Sequence, residues 1–134
     1  LAKNRIHELQ ALKELLETNA LTCNFIIPET AKEGISYAEY LKQLSLSRCV
    51  IDINQSYQTG LTRRPLEALF YNKKLITNNA DIRRYNFYNP KNIFIFGIDS
   101  TEFLKEFVKS PVDKIPEQIR QQYDINTWID QYLP

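Results

Sequence analysis

A chain of 134 residues with 43% hydrophobic residues can enclose one ordinary core, so a single domain is expected. Seventeen lysines and arginines against 16 acids leave a net charge of +1, which gives no global field to gather nucleic acid or another polyanion. No apolar run approaches the roughly 20 residues of a membrane span, nothing resembles a signal peptide, and a single histidine, His7, without clustered Cys, His or Asp gives a zinc site almost no support.

The chain opens on "NRIHELQALKELLETN", where Ile6, Leu9, Leu12, Leu15 and Leu16 recur at spacings of three and four and make one helical stripe. Asn4 is placed to cap this helix and Asn19 to end it. No strand precedes it, so residues 1–134 are expected to be a piece of a longer, two-domain cytoplasmic protein. "LTCNFII" is a short β-favouring run stopped by Pro28, and a turn containing Gly34 leads to Ser36. From Ser36, with Glu39 three residues on in a capping-box arrangement, Tyr37, Tyr40, Leu41 and Leu44 form the face of a second helix.

"CVIDI" reads as the next strand, followed by the loop "NQSYQTGLT" and by "PLEALFYN", whose Leu66, Leu69 and Phe70 repeat at helical spacing. "KLIT" and "NIFIFG" are two further strands, and Ser100 is the cap expected before "EFLKEFVK". The tail over residues 111–134, with Ile119, Tyr123, Ile125, Trp128, Ile129 and Leu133, reads as amphipathic helix. Cys23 and Cys49 each sit within an apolar run and are expected to be reduced core thiols. Strands alternating with helices predict an α/β fold: a Rossmann-like, doubly wound parallel sheet of about four strands in three layers, with helices at the C-terminal end.

In such a sheet, ligands bind beyond the carboxyl ends of the strands, where loops feed the following helices. Residues 54–64 form such a loop. Gly60 allows a close backbone approach, Thr62 offers a hydroxyl, and Pro65 suits a first helical turn. Arg63 and Arg64 oppose the helix dipole unless an anion lies between them, which points to phosphate. Glu67, one turn further on, can accept hydrogen bonds from the vicinal hydroxyls of a ribose. The plainer alternative makes Arg63, Arg64 and Glu67 solvated first-turn residues and Gly60 a turn residue.

"GLTRRPLEALFYNKKLITNN" resembles the donor-nucleotide half of GT-B glycosyltransferases, in particular bacterial enzymes of lipopolysaccharide and capsule assembly. Glu67 and Ala68 match that family's "EA" step, whose glutamate binds the donor ribose. Gly60, Leu61 and Thr62 match its phosphate loop, with Gln58 and Thr59 where the family carries an earlier glutamate. Asn72 stands in place of the helix-ending glycine, and asparagine tolerates the left-handed conformation needed there. "AKNRIHEL" is similar to the family's basic loop, with Lys3 and Arg5 as the cations that meet the donor diphosphate; a solvated helix start is the alternative.

The resemblance covers most of residues 1–108, and "YDINTWIDQYL" is similar to the family's terminal helices. It implies a hexosyltransferase type of enzyme with a nucleotide sugar as donor substrate and no separate cofactor. The glycan or lipid-linked acceptor would be held by a missing N-terminal domain, placing the whole protein in the cytoplasm or at the inner membrane. Gln58, Gly60, Leu61, Thr62, Arg64, Glu67, Lys3 and Arg5 are the implied donor-binding residues. Cationic side chains would stabilise the leaving group with no metal required. The general base would lie on the missing domain, so no catalytic residue is assigned, and residues 1–134 alone are expected not to turn over. Asp52 reads as structural, Tyr57 as a stacking candidate, and Arg83 and Arg84 as cations near the same edge. Phosphate loops of this class also serve modules without chemistry, so a nucleotide-binding or protein-interaction module is the second reading.

Overall fold

The structure is a computed structural model that describes residues 2–19, 25–26, 36–54 and 63–123. Helix α1 (Ala2–Thr18) precedes strand β1 (Phe25–Ile26), helix α2 (Tyr37–Ser45) and strand β2 (Cys49–Asp52). Helix α3 (Arg63–Phe70), strand β3 (Lys74–Thr77), a 3-10 turn (Ala80–Arg84) and strand β4 (Ile93–Ile95) follow. A second 3-10 turn (Thr101–Phe103) runs directly into α4 (Leu104–Lys109), and α5 (Glu117–Gln122) is the last described helix.

All described strands are parallel: three strands, β2 to β4, carry most of the sheet, and β1 contributes a two-residue pairing in which Phe25 meets Cys49 and Ile26 meets Val50. The order β1-β2-β3-β4 follows the chain. With right-handed crossovers, a sheet that advances in one direction places every connection on the same face. The packing agrees. Tyr40 and Leu44 of α2, Ala68 and Leu69 of α3, and Ile82 of the first 3-10 turn lie against Val50, Leu75, Ile93 and Ile95. The opposite face, formed by Cys49, Ile51, Ile76 and Phe94, is covered by Leu9, Leu12 and Leu16 of α1 and by Leu104, Phe107 and Val108 of α4.

The α/β class and the coarse Rossmann-like arrangement therefore stand, with helices on both faces of the sheet. Double winding needs a reversal of strand order, and the described strands contain none. The two-residue alternation of side chains between covered faces explains why "CVI" and "IFI" read as unbroken apolar runs.

Local signals act as their chemistry requires. Ser36 Oγ accepts from the Glu39 amide at 3.1 Å and starts α2. Ser100 accepts from the Glu102 amide at 3.4 Å and starts the 3-10 turn that leads into α4. Asn19 closes α1 through its side-chain amide, which donates to the Leu15 carbonyl at 2.8 Å. Asn4 does not cap that helix, which already runs at Ala2. Asn72 ends α3 in the left-handed region at φ 56°, and the Lys73 amide turns back to the Ala68 carbonyl at 2.9 Å, the long bond of a Schellman motif.

The sheet closes itself at β4. The Ile93 amide donates to the Asn89 carbonyl at 2.9 Å and the Ile95 amide to the Asp99 carboxylate at 2.8 Å, while the Phe96 amide pairs with Thr77 of β3. Alternate amides of an edge strand point outward, and here the chain's own turns occupy them. Gly97, at φ +95°, permits the turn that brings Asp99 back.

Candidate functional site

Helix α3 begins where the chain returns from the carboxyl end of β2, and its first residues bring three charges together. The Arg64 guanidinium donates from Nη1 to Glu67 Oε1 at 2.9 Å, and Arg63 Nε lies 3.9 Å from Glu67 Oε2. The three side chains differ sharply in exposure, at 31% for Arg63, 16% for Arg64 and 0% for Glu67. The arginines form the accessible surface and the carboxylate lies behind them.

Tyr40, reaching over from α2, completes the cluster. Its hydroxyl donates to Glu67 Oε1 at 2.8 Å, and the Arg64 guanidinium carbon lies 4.4 Å from the centre of its ring. A cation over an aromatic face is attracted by the ring quadrupole, so Tyr40 holds Arg64 by its ring and Glu67 by its hydroxyl. Among the described residues, two arginines meet one carboxylate beside the helix N-terminus, whose own partial charge is positive. The full burial of Glu67 removes the plainer reading of it as a solvated first-turn residue.

A polar girdle joins the carboxyl ends of β2 and β3. The Asn54 amide donates to Asn78 Oδ1 at 2.9 Å, and Asn78 Nδ2 donates to the Asn54 carbonyl at 2.8 Å, so one side chain mimics a further rung of the ladder. Asn78 Nδ2 also donates to Glu8 Oε2 of α1 at 2.6 Å, and Asn54 Nδ2 donates to the Asp52 carboxylate at 3.1 Å. Asp52 is buried within this network, in keeping with its structural reading.

Of the sequence-predicted site residues, Arg64 and Glu67 are brought into direct contact. Gln58, Gly60, Leu61 and Thr62 lie outside the described residues, as do Tyr57 and Cys23. Lys3 and Arg5 fall within helix α1 and not on a loop. Arg83 and Arg84 are exposed on the 3-10 turn after β3, and Arg84 Nε faces the Asp81 carboxylate at 3.7 Å. Cys49 is a free, buried thiol, and burial pushes its pKa up to about 12. Among the described residues, no group of His, Cys, Asp and Glu side chains could hold a metal ion, and no helix is long and apolar enough to cross a membrane.

Sequence reasoning missed Tyr40 as a site residue and the Asn54–Asn78 girdle. The girdle had a signal: an asparagine directly follows the apolar run "CVIDI", and another directly follows "KLIT". Tyr40 had none, because its spacing fits an ordinary apolar helix face and only the third dimension sets it against Glu67.

Comparison with family models, with curated proteins and with solved structures finds no match to this chain.

Proposed function

We propose that this chain binds the diphosphate of a nucleotide sugar at the first turn of α3, as the donor half of a GT-B-type glycosyltransferase in surface polysaccharide or lipopolysaccharide assembly. The observation that carries the reading is the trio Arg63, Arg64 and Glu67: two partly exposed cations backed by one buried carboxylate, at the end of a parallel strand's loop. Ligand sites of open parallel sheets lie at that edge, and two partly exposed guanidinium groups suit a diphosphate. The resemblance of residues 60–79 to the donor half of that family supports the same assignment. In transfer, charge grows on the departing diphosphate, and cations held in place before the reaction stabilise it without reorganising. Arg63 and Arg64 would serve that role, with the acceptor and the general base supplied by another domain.

The test is a calorimetric titration of the chain with UDP, GDP, ADP and CMP, beside the variant R63A/R64A. The reading expects one base to be preferred and its affinity to fall by about tenfold or more in the variant, since each charge-assisted contact to phosphate is strong. A folded wild type that binds none of them would overturn it.

A further inference from the structure

Glu67 is the residue of this site whose chemistry is best defined by its surroundings. We infer that Glu67 is a positioning residue, which fixes the Arg64 guanidinium toward an anionic ligand group and does not itself hold the ligand's ribose. The inference rests on the nucleotide-binding reading above and assigns the work within that site.

Three observations carry it. Glu67 has no exposed side-chain surface, so in this arrangement no ligand atom touches it. Its Oε1 already accepts from two donors, the Tyr40 hydroxyl at 2.8 Å and Arg64 Nη1 at 2.9 Å, and Arg63 Nε faces its Oε2 at 3.9 Å. Arg64, by contrast, keeps 16% of its side chain exposed, and the Glu67 contact engages one nitrogen of a guanidinium that carries five N–H donors.

The geometry is that of a clamp. The carboxylate holds one corner of the guanidinium plane and the Tyr40 ring supports its face at 4.4 Å, so the plane loses its rotational freedom before any ligand arrives. Binding then forfeits less side-chain entropy than it would with a free arginine. A planar fork fixed in this way suits two oxygens of a phosphate. The carboxylate thus acts on the ligand through Arg64.

The test separates phosphate from ribose. The wild type, E67Q and Y40F are titrated with the preferred nucleoside diphosphate, with its nucleoside, and with the 2′-deoxy and 3′-deoxy diphosphates. A positioning role expects E67Q to weaken the diphosphate about tenfold and the nucleoside by less than about twofold, because only a charge-assisted phosphate contact is misplaced. Y40F, which keeps the ring and removes one donor to Glu67, should follow in the same direction by about threefold. It also keeps the inference testable if E67Q does not fold, which thermal melts would report. The ratio of ribo to deoxy affinity should be the same in all three proteins. If E67Q erases that ratio, or lowers nucleoside and diphosphate affinity alike, Glu67 contacts ribose and the inference is overturned while the nucleotide site stands. Unchanged diphosphate affinity in both variants overturns it as well. A folded wild type that binds no nucleotide overturns the inference together with the reading beneath it.

Discussion

The two ends of the sheet each bury an ionisable side chain, Glu67 at the carboxyl edge and Lys74 at the amino edge, and they neutralise it by different means. Glu67 is met by two cations and a phenol. Lys74 is met by groups without formal charge: its Nζ donates to the Lys91 carbonyl and, at 3.2 Å, to Ser110 Oγ, and it lies 4.8 Å from the centre of the Phe107 ring. Burial lowers the Lys74 pKa, opposed by smaller effects of Cys49 and Asp113. The first cluster keeps two arginines partly exposed at the carboxyl edge. The second ties β3 to the turn before β4 and to the end of α4. Asn92, whose side chain exchanges two bonds with the Asp113 backbone at 2.7 and 2.9 Å, reinforces that tie. Under the proposed function, one end serves as a site and the other as a fastening.

Truncation should break this comparison most visibly. Removing Glu67 leaves two arginines facing each other without their shared partner, and breaking a buried pair typically costs about 3–5 kcal/mol. Glu67→Ala is expected near the lower bound, about 3 kcal/mol, because Arg63 is 31% exposed and can turn toward water. Lys74→Ala leaves two acceptors without their donor and an unfilled space, for a loss of about 2 kcal/mol. Lys74→Met fills the space and removes the burial cost of the amine, so it should change stability by less than about 1 kcal/mol. Urea unfolding of the three variants checks the order. Neither Lys74 variant should alter nucleotide affinity, whereas Glu67→Ala should weaken it; a Lys74 variant that weakened binding would erase the distinction between site and fastening.

Alkaline pH sharpens the same contrast at the amino edge, where Cys49 and Lys74 sit opposite each other in register. The Cys49 thiol ionises at 9.0 in the unfolded chain and at about 12 in the fold. Its contribution is therefore complete below 9.0 and declines as pH rises toward about 12, by roughly 1.4 kcal/mol per pH unit at most. Lys74 has the opposite sign. Its folded pKa is lowered from 10.5, so the unfolded chain holds the proton more tightly and stability recovers as pH climbs toward 10.5. Wild type should lose stability across this window, Cys49→Ala should lose less, and Lys74→Met should lose more. Unfolding midpoints measured at each pH decide it, since the tyrosines common to all three proteins cancel in the differences.

Much of the fold was legible because its signals are local. Strands β2 to β4 lie between two covered faces and so read as largely apolar, and Ser36, Ser100, Asn19 and Asn72 act through hydrogen bonds or dihedral angles within a few residues. The strand order was not legible. Whether successive strands advance or reverse depends on which side of the sheet each connection packs, and alternation of strand and helix is the same in both cases. Lys74 was hidden for a related reason: a lysine opening a strand reads as a solvated end, and only the arrival of Lys91 and Ser110 from elsewhere in the chain lets the fold enclose it. At the site, Arg63, Arg64 and Glu67 are legible as neighbours on one helix, but the hydrogen bond from Tyr40 reaches Glu67 from 27 residues away.

The smallest expected effect lies at the end of α3, and it tests whether the helix stop depends on side chain or on backbone alone. Asn72 is exposed and sits at φ 56°, a conformation that glycine reaches without steric cost and other residues reach at a cost of roughly 1–2 kcal/mol, partly relieved for asparagine. Asn72→Gly should therefore raise stability by a few tenths of a kcal/mol, the relief at C′ exceeding glycine's greater freedom in the unfolded chain. Asn72→Ala should lower it by about 1 kcal/mol, because its Cβ meets the same strain without a polar side chain to offset it. Equal stability in all three would mean that the Lys73 to Ala68 bond holds the turn regardless of residue. A larger loss in the glycine variant would mean that the asparagine side chain makes a contact of its own there. The ordering Gly above Asn above Ala would identify position 72 as a conformational stop, the role that the glycine in the resembling motif would play.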